Sequence, residues 1–257
     1  MRMRKTNLAI TIALFALAIA CYIVFGVIKV RLLEEEIANT LLTEAISRFL
    51  ICLVFVWMLY SYGGKDFLIF DRTFFKSLIW ALPCFMVAVV NFPFSALSKG
   101  IAQIERTDLL GLYALYILSV AFLEEFIFRG VLYLLINDVL NSKKHKIFFT
   151  VLICSLLFSL FHLTNLFAKA SIGDTLLQCL YTFLIGAMLM VTLIKTKNIW
   201  LCILIHALFD FGGLLYLIGV ENMQDDVFWI LTIISGVLCA GHIIYTLIKL
   251  EKDYVSR

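Results

Sequence analysis

Six residues of this chain combine reactive chemistry with surroundings that ought to exclude it. Glu124, Glu125 and Arg129 interrupt one long apolar stretch, His162 interrupts a second, and His206 and Asp210 a third. Ionisable groups inside membrane spans cost at least about 2.5 to 3.5 kcal/mol each on insertion scales, so each is a functional candidate by default. Peptide hydrolysis needs a base for water, a stabiliser for the oxyanion and a proton for the leaving amine. These six side chains can supply all three.

Helical spacing divides the roles. Glu125 and Arg129 are four residues apart and share a face, which makes them a supporting ion pair. Glu124 points about 100° away, free to face a cavity and act as general base. His206 and Asp210 are also four apart, so the carboxylate can hold the imidazole in one tautomer. Phe158 lies four before His162 and places an aromatic ring on the histidine's own face. Distances of about 16 to 22 Å from the cytoplasmic helix ends put Glu124, His162 and Asp210 at comparable depth. One histidine alone would be read as an interhelical hydrogen bond, and a buried Glu–Arg pair is as often structural as chemical. Four depth-matched polar residues on three helices are better explained as one site.

The elements that must position them are membrane helices. Of 257 residues, 63% are hydrophobic, 15% charged and only 2 are proline, against roughly 45 to 50% apolar in soluble proteins. Apolar runs long enough for a core of about 30 Å recur along the chain, without the dyad alternation of a β-barrel. The expected fold is therefore an all-α polytopic bundle. Its eight spans fall near 7–28, 47–62, 74–97, 109–137, 147–168, 175–194, 199–218 and 227–248. The chain divides into N-terminal spans (1–107), a core carrying the polar residues (108–218), and a last span with its tail (219–257).

Lys and Arg alternate across these spans. With the N-terminus inside, the inner segments hold 14: Arg2, Arg4, Lys5, Lys65, Arg72, Lys76, Lys143, Lys144, Lys146, Lys195, Lys197, Lys249, Lys252 and Arg257. The outer segments hold 6, namely Lys29, Arg31, Arg48, Lys99, Arg106 and Lys169. Both termini are expected to be cytoplasmic. The acidic groups Glu34 to Glu36 and Glu221, Asp225 and Asp226 then fall outside. The apolar run continues past Cys21, which reads as an uncleaved anchor and not a removable leader. All 7 cysteines lie within expected spans with no Cys-x-x-Cys pair, so disulfides are not expected. A net charge of +3 gives no reason to expect a nucleic-acid partner.

The remaining polar residues read more plainly. Asn91 with Pro93 marks a kink in the third span, whose freed backbone needs a partner. His242 is a helix contact, and His145 a solvated loop residue within a basic loop that touches anionic lipid. No Gly-x-Ser-x-Gly and no His-Glu-x-x-His occurs, so serine and zincin mechanisms lose support.

Glu-Glu-x-x-x-Arg at 124–129, Phe-x-x-x-His at 158–162 and His-x-x-x-Asp at 206–210, in this order on separate spans, resemble the CAAX protease and bacteriocin-processing family of intramembrane endopeptidases. The resemblance covers roughly residues 108–218. It implies a membrane-embedded peptidase acting on a membrane-associated peptide or protein, CAAX-like or bacteriocin-like, in a bacterial cell membrane. Some bacterial members are linked to bacteriocin self-immunity. Carried over by position, Glu124 activates water with His162, while His206 and the residue four later stabilise the oxyanion. That residue is Asp210, where the eukaryotic prenyl endopeptidases have asparagine. An ionised aspartate repels an oxyanion, so Asp210 is protonated, orients His206, or binds a metal.

A zinc or other divalent ion held by His162, His206 and Asp210 is chemically sufficient. The metal-free account is preferred, because no second acid is evident for His162. The competing class is a non-catalytic immunity protein or a transporter using the same polar site. Against a transporter stands the absence of an inverted repeat with paired broken helices.

Overall fold

The computed structural model describes residues 30–69, 73–141, 143–167 and 170–255, together with the isolated positions Ala16 and Ala20. The span expected at 7–28, with Cys21, Arg2, Arg4, Lys5 and Lys29, lies outside the described residues, as do Arg72, Lys169 and Arg257. All regular structure among the described residues is helical. In chain order the helices are α1 (Glu36–Ser61), α2 (Phe74–Trp80), α3 (Leu82–Val90), α4 (Phe94–Ser98), α5 (Leu110–Glu125) and α6 (Tyr133–Val139). Next come α7 (Lys146–Phe161), α8 (Ile172–Thr196), α9 (Ile199–Gly213) and α10 (Asp226–Val255).

Five described stretches are long and apolar enough to cross a membrane: Glu36–Ser61, Thr107–Val139, Lys146–Leu166, Ile172–Thr196 and Asp226–Val255. The helix Ile199–Gly213 is apolar but shorter. Large apolar side chains stand exposed on the outer helices, such as Leu53 and Trp57 on α1 and Ile233 and Val237 on α10. Such a surface is costly in water and natural in lipid.

Two spans depart from the sequence reading. The stretch read as 47–62 is a helix that begins at Glu36. Glu35, taken for a loop residue, is its N-cap and accepts from the backbone N–H of Ile37 and Ala38. An acidic group belongs there because it answers orphan donors and the positive end of the helix dipole. The bond from Ala38 holds the Glu35 carboxyl below its ordinary range. Arg48, counted with the outer segments, therefore lies in the interior of α1 and is buried.

The stretch 74–97 is three short helices instead of one span. Pro83 sits in the first turn of α3 and Pro93 is the N-cap of α4, each where a missing N–H ends the preceding helix. Asn91 caps α3 and sends Nδ2 to the carbonyl of Phe209, 2.7 Å away on α9. The approach is so close that a Cβ on Gly212 would stand 2.5 Å from the Asn91 carbonyl oxygen.

The core is built on α5, α7, α8 and α9. The Tyr113 hydroxyl of α5 donates to the Phe211 carbonyl of α9 at 2.7 Å, and Ser159 of α7 donates to the Cys179 carbonyl of α8 at 2.6 Å. Between α5 and α6 the helix widens into a π-helix, Phe126–Leu132, whose residues are all buried. Such insertions cost regular hydrogen bonding and are frequent at functional sites. The six described cysteines are free thiols.

Candidate active site

Glu124 is at the end of α5, one residue before the last, immediately ahead of the π-helix. His162 follows the last residue of α7, where the helix tightens into the 3-10 turn His162–Leu166. His206 and Asp210 lie one turn apart on α9. All four line one cavity of about 230 Å³. Glu125 and Arg129 do not line it: both are buried behind it.

His206 is the centre of the arrangement. Its Nδ1 lies 2.7 Å from Glu125 Oε1, so Nδ1–H donates to that carboxylate. The same Oε1 accepts from Arg129 Nη1 at 2.8 Å. Glu125 thus joins the arginine to the histidine, and its role is wider than the supporting pair with Arg129 read from the sequence. The other ring nitrogen, Nε2, faces Asp210 Oδ2 at 3.3 Å and Glu124 Oε2 at 3.7 Å. Orientation of the imidazole comes from Glu125 on another helix, because Nδ1 is the nitrogen that is firmly held. Asp210 instead stands on the cavity side, where chemistry would occur.

Phe158 organises the wall behind these groups. Its ring meets His162 edge-on at 5.0 Å and His206 at 6.0 Å, and carries the Arg129 guanidinium at 4.2 Å over its face. The two histidines and the arginine are thereby fixed about one rigid aromatic plate. His162 Nδ1 is 3.0 Å from the Phe158 carbonyl, so Nδ1–H donates there and Nε2 is left with its lone pair. Gly186 admits this packing, since a Cβ there would lie 3.1 Å from the Phe158 ring, and its carbonyl takes Arg129 Nη2 at 3.4 Å.

Several lining residues escaped the sequence reading. Arg48 reaches the cavity from α1, bonded to Glu44 at 2.6 Å and lying 4.5 Å over the Tyr116 ring. Asn165 and Gln178, which bond each other at 2.7 Å, line it as well, as does Tyr181. A polar residue within an apolar helix was the available signal for Arg48, lost because α1 was begun too late. His242 instead packs on Trp80 at 4.7 Å, and His145 is half exposed beside Glu251 at 3.5 Å.

His162, His206 and Asp210, the donors considered for zinc, share the cavity. Among the described residues, however, no group of three or more His, Cys, Asp or Glu is gathered closely enough to hold a metal ion.

A helical protein with carboxylates and histidines converging on a buried cavity belongs with membrane-embedded, water-using enzymes more readily than with pores. Residues 106–212 match the model of a family described as type II CAAX prenyl endopeptidase Rce1-like, and this segment is a member of the CAAX protease family. The match contains Glu124, Glu125, Arg129, His162, His206 and Asp210, and leaves Glu44 and Arg48 outside. No curated protein and no solved structure matches the chain.

Proposed function

We propose that the chain is an intramembrane endopeptidase that cleaves a membrane-associated peptide with a water activated by Glu124. The observation that carries this reading is the convergence of Glu124, His162, His206 and Asp210 on one cavity, with His206 anchored from behind by Glu125. Glu124 and the lone pair of His162 Nε2 hold the water, and Glu124 takes its proton as oxygen attacks the scissile carbonyl. The carbonyl oxygen, gaining negative charge, accepts the proton-bearing Nε2 of His206. Asp210 and Nε2 share one proton, which resolves the repulsion an ionised aspartate would bring. Glu124 then delivers its proton to the leaving amine, and the C–N bond breaks.

The eight-span topology with both termini cytoplasmic belongs to the same reading, supported by the distribution of Lys and Arg. So does the bacterial cell membrane as its location. A reporter fused at the C-terminus should read cytoplasmic, and an external reading would break that topology.

Purified protein in liposomes, incubated with a pool of apolar peptides, should create new N-termini detectable by mass spectrometry. Cleavage that is absent, or undiminished in Glu124→Gln, would overturn the proposal. Stripping with a strong chelator should leave activity intact under the metal-free account. Activity lost on stripping and restored by zinc would move His162, His206 and Asp210 into the role of ligands.

A further inference from the structure

We propose that Arg48 receives the free C-terminal carboxylate of the peptide substrate and so selects chain ends for the cavity. This rests on the peptidase reading above. Apart from the histidines, the cavity lining contains one cation among the described residues, and it is Arg48. The site otherwise presents the carboxylates of Glu124 and Asp210. An anionic group entering this cavity therefore has one strong place to settle, and a guanidinium matches a carboxylate in both charge and planar geometry.

The present partner of Arg48 is suited to exchange. Glu44 Oε2 lies 2.6 Å from Arg48 Nη2, yet the Glu44 side chain is 38% exposed while that of Arg48 is 10% exposed. A buried guanidinium must keep an anion close, whereas an exposed carboxylate returns to water at little cost. A substrate carboxylate can take the place of Glu44 with no charge left unpaired. Tyr116 holds the cation in position throughout, with its ring 4.5 Å below Cζ and its hydroxyl 3.4 Å from Nη2.

Geometry favours a chain terminus over an internal Asp or Glu. Arg48 is part of a buried wall, and a chain passing it on both sides would need more room than a cavity of about 230 Å³ provides. Tyr116 precedes Glu124 by eight residues on α5, a separation of about 12 Å along the axis. That is about three to four residues of extended peptide between the carboxylate and the base.

The test uses the full chain carrying Glu124→Gln, in lipid nanodiscs, and a pool of fluorescent apolar decapeptides made both as free acids and as C-terminal amides. Free acids should bind at least about tenfold more tightly than amides. Arg48→Leu should bring that ratio within about twofold, and Arg48→Lys should retain part of it. Equal binding of acids and amides, binding of neither, or a ratio unchanged by Arg48→Leu overturns the proposal. Should Arg48→Leu fail to fold, Glu44→Gln decides. Removing the competing carboxylate should tighten acid binding about threefold, and an unchanged or weaker preference overturns the proposal. The unmodified protein separates the two readings. Cleavage of acids and amides at equal kcat/KM removes the role of Arg48 and leaves the peptidase standing. Acid-selective binding without Glu124-dependent cleavage does the reverse.

Discussion

Two Glu-x-x-x-Arg pairs lie on neighbouring helices of this molecule, and they are alike in almost everything but their surroundings. Glu44 and Arg48 meet at 2.6 Å, Glu125 and Arg129 at 2.8 Å. Each guanidinium rests on an aromatic ring, Tyr116 at 4.5 Å and Phe158 at 4.2 Å. The acid precedes the base by one helical turn in both, the favourable order. Burial separates them: side-chain exposure is 10% and 38% in the first pair, 1% and 0% in the second. The closed pair has passed its second acceptor bond to His206 and serves the histidine. The half-open pair faces the cavity and can change partners. The same local device thus becomes scaffold or ligand site according to which surfaces cover it.

The largest effect expected from this contrast follows removal of the enclosed cation. Arg129→Met should destabilise the fold by about 3 to 5 kcal/mol, because Glu125 would remain buried without its counter-charge. Thermal unfolding in detergent would measure it, and a shift no larger than that of an exposed pair would erase the distinction. Glu44→Gln should cost under about 1 kcal/mol by the same measurement, since one partner already meets solvent.

The smallest effect belongs to a third ion pair, Lys99 with Asp225 at 2.7 Å, at the start of α10. Lys99, then Ser95 and the Phe228 N–H, hold the Asp225 carboxyl down at about 2, against an ordinary 3.8. A depressed carboxylate stabilises the fold above its unfolded value, and that stabilisation fades as pH falls from about 4 towards 2. The difference in unfolding midpoint between the native chain and Lys99→Met should be constant above pH 4 and shrink below it. A difference independent of pH would refute the pairing.

The sequence made the core legible wherever lipid imposes its own rule. The runs at 109–137, 147–168, 175–194 and 227–248 correspond to long helices because a span must be both apolar and about 20 residues long. The rule fails where a helix carries its charges inward. Glu34 to Glu36 and Arg48 resembled loop residues, yet Glu35 caps α1 and Arg48 turns into the bundle. Prolines 83 and 93 broke a stretch that hydropathy alone reads as continuous. Within the site, the residue types and their spacing along each helix were readable. The contact between Glu125 and His206 was not, because it joins two helices 81 residues apart, and one-turn spacing pointed to Asp210 instead. The π-helix after Glu125 left no periodic trace, since its residues are apolar on every side but for Arg129.

The central claim is that the adjacent carboxylates divide the labour, Glu124 doing chemistry and Glu125 holding His206. Glu124→Gln and Glu125→Gln should therefore be compared side by side for peptide turnover and for thermal unfolding. The first should lose turnover by at least about a hundredfold, the low end of what a general base contributes, with its unfolding midpoint unchanged. The second should lower the midpoint, because Arg129 is left buried without a full counter-charge. Near-normal turnover in Glu124→Gln, or an unshifted midpoint in Glu125→Gln, would contradict the account.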